Sequence, residues 1–467
     1  MSLPTSRREF LRYAGSALLC SAAKGVAARP ADVTVHIGPI SQEVAPGFVY
    51  RTTAYNGSAP ASVIRLRQGV PVTVEIINTS ESDELAHWHG LSVPVAIDGT
   101  MEEGSQMIPA NRSLRYTLIS QEPGTRYLHS HAMSSPPSLD RGTYSGQYAM
   151  VYVEPKQNPG AYDQEVFLVT HEWGPSLVLQ TSGGGEEGEE DNGPVAMLPE
   201  STMEVEYDIG SVNGRALGHG EPLRVRNGER VLVHILNASA TATQRLALAG
   251  HSFLVIALDG NPVPLPQPVE VLQLGPGERI SALVEMVNPG VWILGAVDDN
   301  EREVGRMGTV VEYAGKTGDP RWIRPPNPPW DYTIFGERAA QVELPAEQVL
   351  PMVIDRIAPN ADGIEKWTIN GEGYGGTPTR LHVGRRYRMA FQNHTDDEHP
   401  VHLHRYSFEL TRVHGRTTSG IRKDVVMLNR NGLLEVDFTP ETTGLALFHC
   451  HQQMHMDNGF KKLFEVI

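Results

Sequence analysis

Gly69-Val70-Pro71-Val72-Thr73-Val74-Glu75-Ile76-Ile77-Asn78 runs from an opening glycine to a closing asparagine through an alternating stretch. Period-two alternation of this length marks a strand with one buried face. The frame occurs three times. Gly228 to Asn237 encloses Val231-Leu232-Val233-His234-Ile235, Gly384 to Asn393 is the third copy, and glycine and asparagine stand nine residues apart in each. An Asn-Gly turn signal precedes every copy, at Asn56-Gly57, Asn213-Gly214 and Asn370-Gly371. A later glycine, in Pro123-Gly124, Pro289-Gly290 and Thr443-Gly444, opens a short apolar strand each time. Repetition on this scale means a repeated structural unit. The expected fold is all-β, three β-sandwich domains in tandem at about 32–155, 164–313 and 343–467. The stretch 314–342 is expected as a proline-rich linker, with Asp319 to Pro329 stiff and extended over the surface.

The totals agree with that reading and exclude some partners. A chain of 467 residues suits roughly three domains. Its formal charge of −16 argues against nucleic acid or an anionic membrane surface. Ser6-Arg7-Arg8-Glu9-Phe10-Leu11 matches the twin-arginine export pattern, so residues 1–28 are expected to be a signal peptide. The weakly apolar run from Ala14 to Ala23 is too short for a stable membrane anchor. Lipid attachment at Cys20 is disfavoured by the large Leu19 before it. The expected location is periplasmic or secreted, with the chain exported folded. The stretch Glu186-Glu187-Gly188-Glu189-Glu190-Asp191 reads as an acidic solvated loop, with capture of a cationic substrate as the alternative.

With Cys20 removed, Cys450 is left without a disulfide partner in an oxidising compartment. It stands in Phe448-His449-Cys450-His451, with His455 five residues on. On an extended strand His449 and His451 point one way and Cys450 the other, so a thiolate and its two neighbours could serve two metal centres. A structural cysteine and a Cys-His nucleophile pair are the competing readings.

The histidines decide between them by their place on the repeat. Chance placement of 18 His would give roughly one His-x-His, whereas four are present. His87 and His89 lie nine and eleven residues after Asn78, as His402 and His404 lie after Asn393. His129 is five after Gly124 and His449 five after Gly444, with His131 and His451 two further on. The middle copy has Leu246 and Leu248 at the first place and Gly295 and Val297 at the second. A packing role for His-x-His would have put histidine in all three. Eight imidazoles, two pairs from each outer domain, should instead converge about a pseudo-two-fold axis as a copper cluster open to an exogenous ligand. Ser130 stands where the third domain has Cys450, and Glu84 where it has His399. Only the third domain can therefore build a His₂Cys site, from His399, Cys450 and His455, the ligand set of a blue-copper centre.

His87-Trp88-His89-Gly90, His129-Ser130-His131, His399-Pro400-Val401-His402-Leu403-His404 and His449-Cys450-His451 with His455 resemble the four copper motifs of the multicopper oxidases. The resemblance extends over residues 87 to 460 and implies three cupredoxin-like Greek-key sandwiches holding four copper ions per chain. It implies that His399, Cys450 and His455 bind type 1 copper. His87 and His402 would bind type 2 copper, and His89, His129, His131, His404, His449 and His451 the type 3 pair. It further implies that Asp98 assists proton delivery, although Asp98-Gly99 also reads as a plain turn.

The implied function is laccase-type: one-electron oxidation of phenols or aromatic amines, coupled to four-electron reduction of dioxygen to water. A metallo-oxidase acting on Cu(I), Fe(II) or Mn(II) is the alternative, and a non-catalytic copper carrier the third reading. The expected assembly is a monomer. Three positions depart from the family pattern. Phe460 occupies the axial position and cannot coordinate, which should raise the type 1 potential. Met456, followed by Asp457, replaces a carboxylate common after the last type 1 histidine. Arg405-Tyr406 replaces a common Gly-His.

Overall fold

The computed structural model describes residues 30–132, 138–157, 160–181, 201–297, 307–326, 328–337, 345–357 and 365–467. The expected signal peptide, residues 1–28, and the expected acidic loop 186–191 lie outside them.

Each repeat begins in the same way. Strand Val33–Ala45 pairs in parallel with Pro71–Asn78, Gln164–Trp173 with Arg230–Asn237, and Gln348–Ile357 with Tyr387–Asn393. The Asn-Gly pairs take left-handed φ at both residues, 52° and 77° at Asn56-Gly57, 50° and 74° at Asn213-Gly214, and 57° and 75° at Asn370-Gly371. Few other residues tolerate that turn. Each asparagine side chain then ties the turn to the opposite strand, accepting from the backbone N–H of His36, Val169 and Val353.

The closing asparagines have an equally local cause. Asn78 donates to the carbonyls of Ser82 and Ile108, Asn237 to those of Ala242 and Leu274, and Asn393 to those of Asp397 and Asn429. Each buried amide thus fastens the loop leading to the next strand, the one that carries His-x-His in the outer domains. A bond of this kind contributes about 1 kcal/mol net, and an orphaned partner costs about 1–3 kcal/mol.

The first domain stacks a four-stranded sheet (Phe48–Tyr55, Val33–Ala45, Pro71–Asn78, Arg112–Ile119) on another (Ile64–Arg67, Tyr148–Glu154, Gly124–Ser130, Ala86–His89). The second stacks six strands on five and the third seven on five. Ser176–Thr181 and Ser201–Glu206 form a separate ribbon bracketing the acidic insertion. One apolar core runs through the second and third domains, from Phe253 and Trp292 to Phe391 and Leu403, and the first has its own around Trp88.

The described residues of 319–329 are largely exposed, as expected, but the linker leaves the surface after them. Arg321 is bonded to strand Val291–Ala296 at Val291 and Ile293 and lays its guanidinium over the Trp292 ring at 4.0 Å. Tyr332 and Phe335 are then buried in the core, and the Tyr332 hydroxyl donates to Glu278 at 2.6 Å. The aromatic content of Trp330-Asp331-Tyr332-Thr333-Ile334-Phe335 overrides the stiffness of the prolines before it.

Between the first and second domains His171 is buried, donating from Nδ1 to the Ala238 carbonyl at 2.9 Å and packed on Tyr148 and Trp173. Burial lowers its pKa to about 4. The unfolded chain binds the proton first, near pH 6.5, so this share of stability is present above pH 6.5 and lost as pH falls towards 4. The full share is about 3 kcal/mol. In copper-free protein, His171→Phe is therefore expected to flatten the fall of Tm between pH 6.5 and 4. An unchanged slope would refute this.

Candidate metal centre

Two strands and two turns present the donors in each outer domain. Ala86–His89 pairs with Gly124–Ser130, setting His87 opposite His129, and His399–Leu403 pairs with Gly444–Cys450, setting His402 opposite His449. In the middle domain Leu246 lies opposite Ala296, so the count from Gly290 that selects Gly295 is one residue short. The conclusion drawn from it holds, because Ala296 is no ligand either.

The strand carrying Cys450 stops there, and the chain turns through a short helix, Gln453–Asp457, that brings His455 back beside it. Cys450 Sγ stands 3.8 Å from His399 Nδ1 and 3.6 Å from His455 Nδ1, and the two nitrogens are 3.1 Å apart. His399 and Cys450 are fully buried, while His455 keeps an exposed edge. Trp367 packs on both imidazoles, and the Phe460 ring lies 4.9 Å from that of His399. In the first domain the matching place is filled without a metal. Ser130 Oγ donates to Glu84, which pairs with Arg141 at 3.3 Å.

On the other side of the strand all eight remaining imidazoles meet between the outer domains. His87 Nδ1 donates to the Asp98 carbonyl and His402 Nδ1 to the Asp424 carbonyl, each at 2.7 Å, which turns their Nε2 atoms face to face at 3.4 Å. His404 Nδ1 donates to Asp98 Oδ2 at 2.9 Å and His449 Nδ1 to the Cys450 carbonyl at 2.8 Å, leaving their Nε2 atoms 3.0 Å apart. His131 Nε2 is 3.5 Å from His449 Nε2. His89 donates from Nε2 to Asp424 at 2.9 Å and turns Nδ1 towards His451 Nε2 at 3.3 Å. His129, its Nδ1 held by the Ser130 carbonyl, has a buried Nε2 with no partner.

These contacts test whether a metal fits. With the other nitrogen of His87, His89, His129, His402, His404 and His449 committed as a donor, the inward nitrogens present lone pairs to one another, an arrangement that a cation between them relieves. Burial first, and the neighbouring imidazoles next, hold His89, His131, His402 and His404 well below the usual histidine range, and His449 at about 3. They are neutral ligands at any pH near 7. Burial pushes the Cys450 thiol up, so a thiolate there needs a cation beside it. One soft sulfur with two imidazoles, next to a set of imidazoles, suits copper.

The structure also explains several sequence features. Gly99 has φ 90°, and a Cβ on it would lie 2.2 Å from the Ala86 carbonyl, so Asp98-Gly99 is a required turn as well as the support for His404. Arg405 adopts φ 65°, a conformation that favours glycine, and stitches the outer domains by donating to the carbonyls of Val93 and Leu445. Met456 is buried, and the neighbours of Asp457 are Gln453, Lys461 and Glu102 rather than an imidazole; burial lifts its carboxyl to about 6. Glu103, 3.6 Å from His404 Nδ1, accepts from the Leu447 N–H and is raised by burial and by Asp98. Neither Glu103 nor Asp424 carried a spacing signal. Of the histidines outside the motifs, His171, His234 and His251 are buried and bonded, and the other five are exposed.

Comparison with known proteins agrees with this geometry. Three family models, each described as multicopper oxidase, match residues 41–158, 190–316 and 343–467. The chain is 27% identical over 444 residues to multicopper oxidase MmcO of Mycobacterium tuberculosis, covering 90% of this chain and 84% of that one. It is 24% identical to laccase-4 of Thanatephorus cucumeris, covering 87% and 84%. A multi-copper oxidase structure from Pseudomonas thermotolerans superposes with TM-score 0.68 at 25% identity, over 94% of this chain and all of that one. A Campylobacter jejuni structure described as a metallo-oxidase gives 0.69 at 17% identity, over 94% and 93%. Three repeats of one sandwich, copper-type donors converging between the outer two, and matches along the whole repeat array lead to one conclusion: the chain belongs to the multicopper oxidase family of oxidoreductases.

Proposed function

We propose that the protein is a laccase-type enzyme that oxidises phenols or aromatic amines one electron at a time and reduces dioxygen to water. The observation that carries the reading is the end of strand Gly444–Cys450. Cys450 faces His399 and His455 on one side, while His449 and His451, covalently joined to it, face the other six imidazoles. In this reading four copper ions are held. Type 1 has His399, Cys450 and His455, type 2 has His87 and His402, and the type 3 pair has His89, His129, His131, His404, His449 and His451. Bound copper would supply the one-electron redox chemistry at the first site and the four electrons for dioxygen at the cluster.

The chain's own residues do the rest. Trp367 packs on the His399 and His455 imidazoles and Phe460 on that of His399, and the exposed edge of His455 is where a reducing substrate reaches the site. Asp98 orients His404 through Oδ2, and its buried, unpartnered Oδ1 is free to hold a proton. Phe460, whose ring packs against His399, would offer bound copper no donor atom. Phe460→Met is expected to lower the type 1 potential by at least about 59 mV, a tenfold change in a one-electron equilibrium. Redox titration of the blue band checks it, and an unchanged or raised potential would overturn it.

Oxygen uptake by copper-loaded protein with phenols, aromatic amines and reduced metal ions tests the function. Failure with every donor would sink the enzyme reading in favour of a copper carrier.

One observation favours a metallo-oxidase as the second reading. Glu204, on the ribbon bracketing the acidic insertion, is raised by partial burial and by the charge of Asp397, two residues before His399. The strand Ser201–Glu206 that flanks the insertion therefore runs on the type 1 side. Deleting residues 186–191 should slow Cu(I), Fe(II) or Mn(II) oxidation and leave phenol oxidation unchanged if metal ions are the substrate. Unchanged metal-ion kinetics would remove this reading. Export through the twin-arginine route, supported by Arg7-Arg8, is likewise our proposal. Arg7→Lys/Arg8→Lys should leave the protein in the cytoplasm. A monomer is proposed, with sedimentation as its check.

A further inference from the structure

The cluster is held by two aspartates in matching roles. Asp98 accepts from His87 through its carbonyl and from His404 through its carboxylate. Asp424 accepts from His402 through its carbonyl and from His89 through its carboxylate. Each aspartate thus grips one imidazole of its own domain by the backbone and one of the opposite domain by the side chain. The pseudo-two-fold relation of the outer domains extends to the residues behind the ligands.

What stands behind the two carboxylates differs. Asp98 has the acid Glu103 for a neighbour. Asp424 receives Arg279 from the middle domain, Nη1 to Oδ1 at 2.6 Å and Nη2 to Oδ2 at 2.7 Å, with both side chains buried. A two-pronged pair of this kind fixes the plane of a carboxylate as well as its position.

Arg279 is itself held from several sides. Nη1 also donates to the Gly277 carbonyl and Nη2 to that of Asp259, while its backbone N–H donates to Asp259 Oδ1. Asp259 Oδ2 accepts from the N–H groups of Asp424 and Val425 and pairs with Lys423 at 2.9 Å. Lys423 reaches Glu278, and Arg126 of the first domain donates to the Asp259 carbonyl. Three buried cations face three buried carboxylates at the meeting point of all three domains. Gly90, next to His89, has no room for a side chain because a Cβ would lie 2.6 Å from Asp424 Oδ2 and 2.7 Å from Arg279 Nη2.

We propose that Arg279, from the domain that supplies no ligand, acts through Asp424 to hold His89 and His402 in the tautomers and orientations that copper requires. The proposal rests on reading the imidazole cluster as a copper site. The carboxylate takes the Nε2 proton of His89 and so turns the Nδ1 lone pair inward. The carbonyl of the same residue takes the Nδ1 proton of His402 and turns Nε2 inward. Carboxylates behind ligating imidazoles act in this way generally. The middle domain is then a positioning element for the cluster as well as a spacer between its halves.

Arg279→Lys keeps the charge and loses the two-pronged contact. Copper-loaded parent and variant are exposed to EDTA, with metal per chain and the thiolate–copper band followed in time. The expected result is release of cluster copper at least about tenfold faster in the variant, with the thiolate–copper band lost at the parent rate. Release at the parent rate overturns the proposal, and so does parallel loss from both sites, which would mean general loosening. A parent that holds only thiolate-bound copper overturns the cluster reading and the proposal together, and is distinguishable from a variant that matches a fully loaded parent. Should Arg279→Lys fail to fold, Asp424→Asn, of the same shape and without the charge, carries the same expectation.

Discussion

Cys450→Ser should abolish the blue thiolate–copper band and reduce turnover to below about a thousandth of the parent, while the imidazole cluster still takes up copper. The hydroxyl is a hard donor that stays protonated, so it offers neither a soft ligand nor a charge-transfer band. Little else should move. The Cys450 N–H still donates to the Phe460 carbonyl, and its carbonyl still accepts from His449 Nδ1. The buried hydroxyl, beside the imidazoles of His399 and His455, costs about 1–3 kcal/mol at most. Visible absorption, metal content and oxygen uptake together decide the outcome. A serine variant that stayed blue would mean that another residue supplies the sulfur or that the assignment is wrong.

The second large effect is expected at Asp98. Asp98→Ala removes the acceptor of His404 Nδ1 but keeps the carbonyl that holds His87, so turnover should fall about 10–100-fold with copper partly lost from the His404 side. Asp98→Asn offers the imidazole an oxygen of similar geometry and cannot take a proton. It is expected to bind copper like the parent and to turn over as slowly as Asp98→Ala. Full activity in the asparagine variant would leave Asp98 as an orienting group only, and full activity in the alanine variant would remove it from the mechanism. Metal analysis beside steady-state oxygen uptake separates these results.

Much of the centre was legible because its signals are local. Two donors on one strand at i and i+2 need only the strand's alternation to point together, and the repeat supplied the frame in which four such pairs could be aligned. The contrast of Cys450 with Ser130 and of His399 with Glu84 located the thiolate site by difference. The structure shows why those substitutions travel together, since Glu84 and Arg141 fill with charge the space that the third domain gives to metal ligands.

Other features had no local signal. Asp424 stands in an unremarkable Lys-Asp pair 20 residues after His404, and Arg279 belongs to the one domain whose histidines had dropped out of the pattern. The reading of Tyr332 and Phe335 as part of a linker between domains followed from the prolines before them. It failed because their rings find the seam between the second and third domains.

By itself the sequence determined the three-sandwich fold and the family, named the candidate donors, and placed the lone thiol of Cys450 in the third domain. Each follows from side-chain alternation along strands and from turns closed within a few residues. Only the tertiary structure decided which nitrogen of each imidazole faces inward, that His455 alone of the thiolate site's residues keeps an exposed edge, and that the middle domain braces the cluster. Several of those depend on hydrogen-bond partners far along the chain, 22 positions away for His402, 306 for His404 and 335 for His89, brought together by the packing of whole domains, and residue spacing carries no record of that.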